Sequence, residues 1–352
     1  MSKFWSNLTK ELKPYVPGEQ PKDKKYIKLN TNESPYGPSP KINTLLKEYN
    51  ADDLRLYPEP TSEILRETIS QYYGLTKDEV FIGNGSDEVL ALCFMAYFDK
   101  NDQVVYPDIS YSFYNVYAKL FQLQPDIITL DNEFKIPVEQ FLNKNAGIIF
   151  PNPNAPTGRY LEIEYVEKII KTNPDTIVIV DEAYIDFGGE SAVKFIKDYD
   201  NVLVVQTFSK SRSLAGSRLG FALGQKELIE GLTRVKDSFN SYPIDRLAML
   251  CGVEAFKDVE YFELCRKKII QTREKTVKTM KELGFHVIPS QANFIFAEHK
   301  KIRAEDLFIS LKQNGILVRY FKANKIDNYL RITIGTDQEM DALVEFLKKL
   351  DL

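Results

Sequence analysis

Ser209, Lys210 and Arg218 follow the apolar run Val202-Leu203-Val204-Val205. That run reads as a buried strand, and open α/β sheets hold ligands at the carboxyl ends of their strands. A lysine delivered there, between small polar residues, can lose solvation, release its proton and form an imine with a carbonyl. Ser209 and Arg218 would hold an anion, and a phosphate suits both. An imine-forming lysine beside a phosphate cradle points to pyridoxal 5′-phosphate (PLP). The other reading of the same residues is a surface lysine after a strand.

Other residues bear on that choice. The run Thr176-Ile177-Val178-Ile179-Val180 is a second buried strand, ending at once in Asp181-Glu182-Ala183-Tyr184. A buried aspartate is costly unless it meets a cation, such as a protonated pyridine nitrogen. Gly83-Asn84-Gly85-Ser86-Asp87 follows the short strand 80–82 and opens an apolar helix, with Ser86 a fair N-cap. Free N–H groups at a helix start attract anions. Alone, this G-x-G is a tight turn with a cap; beside Ser209 and Arg218 it becomes a second phosphate element. Tyr111 sits where a ring stacks on a planar cofactor or simply packs in the core. The loop 151–158 carries three prolines and a glycine and presents amides rather than charge. Asn30 to Pro38 is polar and turn-rich, either a plain loop or a lid over the site. With only two histidines, His286 and His299, no zinc site or histidine triad is expected. Both are read as packing or surface residues.

The elements around these residues alternate. Helical spacing predicts helices over 40–50, 62–73, 162–171, 226–240 and 243–283, with a boundary inside the last. Short apolar strands fall at 80–82, 103–107, 127–130, 146–150, 176–180 and 202–205, and 137–142 reads as a short helix. This order argues for an α/β fold with a mainly parallel, doubly wound sheet. Strands at 285–288, 294–296, 316–319 and 329–334, with helices at 304–313 and 337–350, make a smaller α+β unit. The expected organisation is an arm and substrate lid over 1–39 that belongs with the small domain, a large cofactor domain over 40–265, and a small domain over 266–352.

Composition sets limits. Of 352 residues, 43% are hydrophobic and 27% charged, and the net charge of −4 has no basic stripe to bind nucleic acid. Cys93, Cys251 and Cys265 are odd in number and form no C-x-x-C pair, as in a reducing cytoplasm. No signal-peptide core opens the chain, and the apolar run 89–98 is too short to cross a membrane. A cytoplasmic protein acting on small molecules, with no metal, is expected.

Taken in order, Asn154-Ala155-Pro156-Thr157-Gly158, Asp181-Glu182-Ala183-Tyr184, Thr207-Phe208-Ser209-Lys210, Arg218 and Leu330-Arg331-Ile332 resemble the fold-type I, PLP-dependent aminotransferases of the aspartate aminotransferase superfamily, over nearly the whole chain. Pro14-Tyr15-Val16-Pro17-Gly18, Leu29-Asn30-Thr31-Asn32-Glu33 and Arg55-Leu56-Tyr57-Pro58 narrow the resemblance to the histidinol-phosphate aminotransferases. It implies that Lys210 is the imine lysine, that Asp181 pairs with the pyridinium nitrogen, and that Tyr184 bonds the cofactor's phenolic oxygen. Ser209, Arg218, Thr207 and the amides of Ser86 and Asp87 would hold the phosphate, with Tyr111 stacked on the ring. Tyr57 would reach the phosphate of a neighbouring subunit, which makes a homodimer part of the implication. Arg331 would bind the carboxylate of glutamate and the phosphate of histidinol phosphate, supported by Arg319. Tyr15, Asn32 and Glu33 would line the substrate pocket.

The chain departs from the family pattern at Ser34, where a second asparagine is common in this group, and at Ala155. The usual asparagine before Pro-Thr-Gly is Ala155, so Asn154 is the expected substitute. The implied reaction is transamination between L-histidinol phosphate and 2-oxoglutarate. Rival readings are an aromatic amino acid aminotransferase and a PLP decarboxylase of a phosphorylated amino acid. A PLP-binding regulator has less support, since no helix-turn-helix segment precedes residue 30.

Overall fold

The computed structural model describes residues 2–15 and 18–350, so Val16 and Pro17 of the amino-terminal motif lie outside the described residues. The strands are β1 (Ile27–Lys28), β2 (Val80–Gly83), β3 (Gln103–Pro107), β4 (Gln124–Ile128), β5 (Gly147–Pro151), β6 (Val178–Asp181), β7 (Val202–Thr207), β8 (Gly220–Gly224), β9 (Phe285–Ile288), β10 (Phe294–His299), β11 (Ile316–Leu317), β12 (Arg319–Tyr320) and β13 (Leu330–Thr333). The helices are α1 (Asn7–Glu11), α2 (Pro40–Glu48), α3 (Glu63–Tyr73), α4 (Gly85–Tyr97), α5 (Phe113–Leu120), α6 (Ile163–Thr172), α7 (Lys226–Phe239), α8 (Arg246–Lys257), α9 (Val259–Glu282), α10 (Ala304–Gln313) and α11 (Asp337–Lys349).

Seven strands form the large sheet in the order β2-β8-β7-β6-β5-β3-β4. Pairing is parallel from β7 to β4, and β8 runs antiparallel to both β7 and β2. Every residue of β5, β6 and β7 is buried, because helices cover both faces. One core joins α3, α6 and α8 to one face, and a second joins α4, α5 and α7 to the other. Helix α6 shows how: Ile163, Val166, Ile169 and Ile170 recur at helical spacing and are buried, while its charged residues face out. The shared direction of β2, β3, β5, β6 and β7 brings Gly83, Pro107, Pro151, Asp181 and Thr207 to one edge of the sheet.

A second, antiparallel sheet has the order β12-β13-β10-β9. Its core takes in Ile269 and Met280 of α9, Leu307 and Leu311 of α10, and Leu343 and Leu347 of α11. Leu29 also lies in it, and β1 pairs in parallel with β11, so the amino-terminal segment docks on this unit.

Several details differ from the sequence reading. The strand expected at 316–319 is split between β11 and β12, which lie in different sheets. The cap of α4 is Asn84 rather than Ser86. The strand expected at 127–130 is β4, shifted towards the amino terminus by its register with β3. The segment 137–142 forms only a short 3₁₀ turn, Val138–Phe141. The long pattern over 243–283 is two helices broken at Asp258, whose φ of −91° and ψ of 65° leave the helical region. Its carboxylate accepts a 2.5 Å hydrogen bond from the Ser39 hydroxyl ahead of α2. The break therefore also anchors another element.

Candidate active site

A cavity of about 970 Å³ opens at the carboxyl edge of the large sheet and reaches across to the second unit. One end is an anion cradle. Helix α4 begins at Gly85, and the N–H groups of its first turn have no partner within the helix. Close packing aims them. A Cβ on Gly220 of β8 would fall 2.4 Å from the Gly85 carbonyl carbon and the Ser86 nitrogen, so only glycine lets the strand lie against that turn. Gly85 has φ of +83°, and a Cβ there would meet Arg218 Nη2 at 2.4 Å. Arg218 is itself left-handed, at φ 51°, and pairs with Asp87 at 3.3 Å. Thr207 and Ser209 close the cradle, with their hydroxyl oxygens 3.0 Å apart.

The centre holds Asp181, the last residue of β6, and Lys210, in the turn just beyond the end of the neighbouring strand β7. Lys210 Nζ donates to the Thr31 carbonyl at 3.3 Å and lies 5.8 Å from the centre of the Tyr184 ring. Asp181 is buried, and burial pushes its carboxyl up to about 6 although two hydrogen bonds pull the other way. The Tyr114 hydroxyl donates to it at 2.8 Å and the Ala183 N–H at 3.2 Å. No side-chain cation pairs with it among the described residues, so a carboxylate faces the cavity with half of its chemistry unmet. Tyr111 borders the same space and donates to Asp87 at 2.5 Å, which fixes its ring beside the cradle.

The far end belongs to the second sheet. Arg331 is half-buried, and that burial lowers its pKa. It donates to the Asn30 carbonyl at 3.0 Å, while its Nε has no partner. The rings of Phe294 and Phe321 flank it at 5.4 and 5.5 Å, and Arg319 lies 5.4 Å from Phe321. Tyr15 packs on Phe113 at 4.6 Å. Burial pushes the Glu33 carboxyl up, but hydrogen bonds from Lys28 and Thr31, with the charges of Lys28 and Lys210, hold it below its usual value.

The cavity therefore offers an amine, a buried carboxylate, a flat aromatic wall and two anion-binding ends. It brings together Tyr15, Asn32, Glu33, Ser86, Asp87, Tyr111, Asp181, Tyr184, Thr207, Ser209, Lys210, Arg218, Arg319 and Arg331. That set fits PLP: a phosphate for the cradle, a ring nitrogen cation for Asp181, and a carbonyl for Lys210.

The aminotransferase class I and II family model matches residues 24–347. The chain belongs to the class I and II aminotransferases. It is 57% identical over 350 residues to a histidinol-phosphate aminotransferase of Clostridium botulinum, covering 99% of each chain. It is 56% identical over 349 residues to one of Clostridium acetobutylicum, again covering 99% of each. The solved structure of a histidinol-phosphate aminotransferase from Sinorhizobium meliloti, in complex with PLP, superposes with a TM-score of 0.89 at 23% identity, covering 99% of both chains. This aminotransferase thus shares the fold of that structure throughout.

Two expected site residues lie elsewhere. Asn154 is buried but does not line the cavity. Its amide donates to Thr157 Oγ1 within the loop and to the Ile109 carbonyl outside it, both at 2.9 Å, so both hydrogens are taken. In this arrangement Asn154 turns no N–H to the cavity, and Ala155 borders it instead. Tyr57 is 77% exposed, stacked on Tyr242 at 4.8 Å and outside the cavity. Other residues emerge from the geometry alone. Tyr114 is the buried donor to Asp181, a role the need of a buried carboxylate for a partner could have flagged. Thr31 receives Lys210 through its main chain, which no side-chain motif signals. Phe321 parts two arginines that the sequence places twelve residues apart.

Proposed function

We propose that this aminotransferase exchanges the amino group of L-histidinol phosphate with 2-oxoglutarate, giving imidazole acetol phosphate and glutamate, with PLP as cofactor. The observation that carries the reading is the placement of Asp181 at the end of β6 and of Lys210 just past the end of the adjacent β7, between two anion-binding ends. The 57% identity to a named histidinol-phosphate aminotransferase over the full length supports the substrate. When bound, PLP supplies a carbonyl that condenses with amines and an electron sink for a substrate carbanion.

The chain's own residues do the rest. Ser209, Thr207, Arg218 and the amides of Ser86 and Asp87 would hold the phosphate. Asp181 would keep a proton on the ring nitrogen; its buried carboxylate is stabilised by that cation and needs it. Tyr111 would hold the ring plane, and Tyr184 would donate to the phenolic oxygen. The Lys210 amine, once displaced by the incoming substrate amine, is free to move a proton at the substrate α-carbon. Arg331, seconded by Arg319, would take the carboxylate of glutamate in one half-reaction and the phosphate of histidinol phosphate in the other. Tyr15, Asn32 and Glu33 would line the pocket around the imidazole.

The exposure of Tyr57, beside the exposed Leu54, Leu56, Phe239 and Tyr242, supports a homodimer in which Tyr57 serves the neighbouring site. The separate core of the second sheet, which takes in Leu29, supports the division into an arm over 1–39, a large domain over 40–265 and a small domain over 266–352. Three unpaired, buried cysteines support a cytoplasmic setting. No helix among the described residues is long and apolar enough to cross a membrane.

The test is a visible spectrum of the purified protein titrated with L-histidinol phosphate alone. Conversion of the imine band to the pyridoxamine spectrum, reversed by 2-oxoglutarate, is expected. A band that histidinol phosphate leaves unmoved while phenylalanine or tyrosine converts it would reassign the substrate.

A further inference from the structure

Asn32 is almost wholly buried, at 1% exposure, yet its backbone is left-handed, at φ 56°. That conformation costs a residue other than glycine about 1 kcal/mol and persists where the surroundings fix it. Here they do. The Asn32 N–H donates to Thr333 Oγ1 at 3.0 Å, and the Asn32 carbonyl accepts from Asn293 Nδ2 at 3.0 Å. The Thr333 hydroxyl donates to Asn32 Oδ1 at 3.0 Å, and Asn32 Nδ2 donates to the Tyr184 hydroxyl at 3.0 Å.

The order of these bonds sets their direction. Thr333 Oγ1 already accepts a main-chain hydrogen, so its own proton goes to Oδ1 of Asn32. The amide must then turn its NH₂ group to Tyr184, whose oxygen is the acceptor. The phenol's own hydrogen is left for the cavity that Tyr184 lines. Two neighbours that could share this task do not: Ala155 offers a methyl group, and both hydrogens of the Asn154 amide go to Thr157 and the Ile109 carbonyl.

We propose that Asn32 is a positioning residue for the cofactor's phenolic oxygen: by donating to the Tyr184 hydroxyl it fixes that group as a donor into the cavity. The inference rests on the PLP reading above. Because Thr333 and Asn293 belong to the second sheet and its approach, the same bonds tie the direction of the Tyr184 proton to the docking of the small unit. A donor to the phenolic oxygen stabilises its anionic form. That lowers the proton affinity of the lysine-linked nitrogen beside it, and so the pH at which the visible band changes.

The experiment is a pH titration of the visible band in the PLP-loaded protein and in Asn32→Gly, Asn32→Asp, Tyr184→Phe and Asn32→Gly/Tyr184→Phe variants. Glycine keeps the left-handed backbone without strain and removes the donor to Tyr184, together with the acceptor for the Thr333 hydroxyl. Aspartate keeps the shape but accepts, and so takes the tyrosine proton away from the cavity. Both single changes at Asn32 should move the midpoint up by about one pH unit, the size of losing one hydrogen bond to a charged oxygen. The double variant should shift no further than Tyr184→Phe alone, because Asn32 acts through Tyr184. Midpoints unmoved in Asn32→Gly and Asn32→Asp, or shifts that add in the double variant, overturn the proposal, whatever happens to thermal stability. A wild-type protein that develops no visible band with added PLP overturns the functional reading itself, and this inference with it.

Discussion

Replacing Asp181 by asparagine should make the cofactor-free protein more stable near neutral pH while weakening its response to the cofactor. Burial raises the carboxyl from 3.8 to about 6, so between those values the folded protein holds a proton that the unfolded chain has lost. Stability therefore falls as pH rises through this window, and above it the ionised group costs about 3 kcal/mol. Asparagine removes that cost and gives up one acceptor, a loss of about 1 kcal/mol. The net gain at pH 7.5 is about 2 kcal/mol. A chain of this length has an unfolding entropy of about 0.7 kcal/mol per kelvin, so the melting temperature should rise by about 3 °C. At pH 4 the order reverses, and asparagine is the less stable by about 1 kcal/mol. Glu182, also buried and raised to about 7, titrates in both proteins and cancels from the difference. Adding PLP at pH 7.5 should stabilise the wild type more than the variant, because only aspartate gains a cation. Thermal melts of both proteins at the two pH values, with and without PLP, check all of this. An apo difference that is absent at pH 7.5, or that does not change with pH, refutes the claim that Asp181 waits for a positive charge.

Three further outcomes are expected. Lys210→Ala should lose the visible imine band and turnover while folding normally, as read by absorbance and far-UV circular dichroism. Gly220→Ala should push the Gly85–Ser86 backbone away, since its Cβ would lie 2.4 Å from it, and should lower PLP affinity at least tenfold in equilibrium titration. Arg331→Ala should raise the KM for 2-oxoglutarate about tenfold or more, the scale of a lost charged hydrogen bond, and leave PLP retention within about twofold; equal effects on both would move Arg331 out of the substrate end.

Much of the large sheet was legible because its strands are apolar throughout. Val178–Val180 and Val202–Val205 can only be buried, and a charge or hydroxyl straight after each marks the ligand edge. Helix-break positions were less legible. Nothing local distinguishes Asp258 from other acidic residues in a helical stretch; its bond to Ser39, over two hundred residues away, selects the break. The site followed the same division. Lys210, Asp181 and Arg218 carry their chemistry in the side chain and stand at strand ends, so spacing exposes them. Asn154 shows what spacing leaves out: an amide next to the expected position reaches the cavity only if its hydrogens are not taken, and here Thr157 and the Ile109 carbonyl take both. Thr31 acts through a carbonyl, and Asn32 through a left-handed turn held by Thr333 and Asn293. Such contacts form only once the amino-terminal segment is laid against the second sheet.

The two arginine-bearing ends are built for different tenancies. Arg218 is nearly half exposed and already paired with Asp87, so on its own it is a weak anion trap. Its end gains strength from number: the amides of a helix start and two hydroxyls converge there, which suits a phosphate that stays. Arg331 is the reverse. Among the described residues it has no acidic partner, one N–H without an acceptor, and aromatic faces for walls. Between those rings a single anion meets a lowered local dielectric and finds no resident carboxylate to displace. It can bind firmly and leave without exchanging one ion pair for another. A ping-pong transamination asks for this asymmetry, since one anion must remain through every cycle while two others take turns at the opposite end.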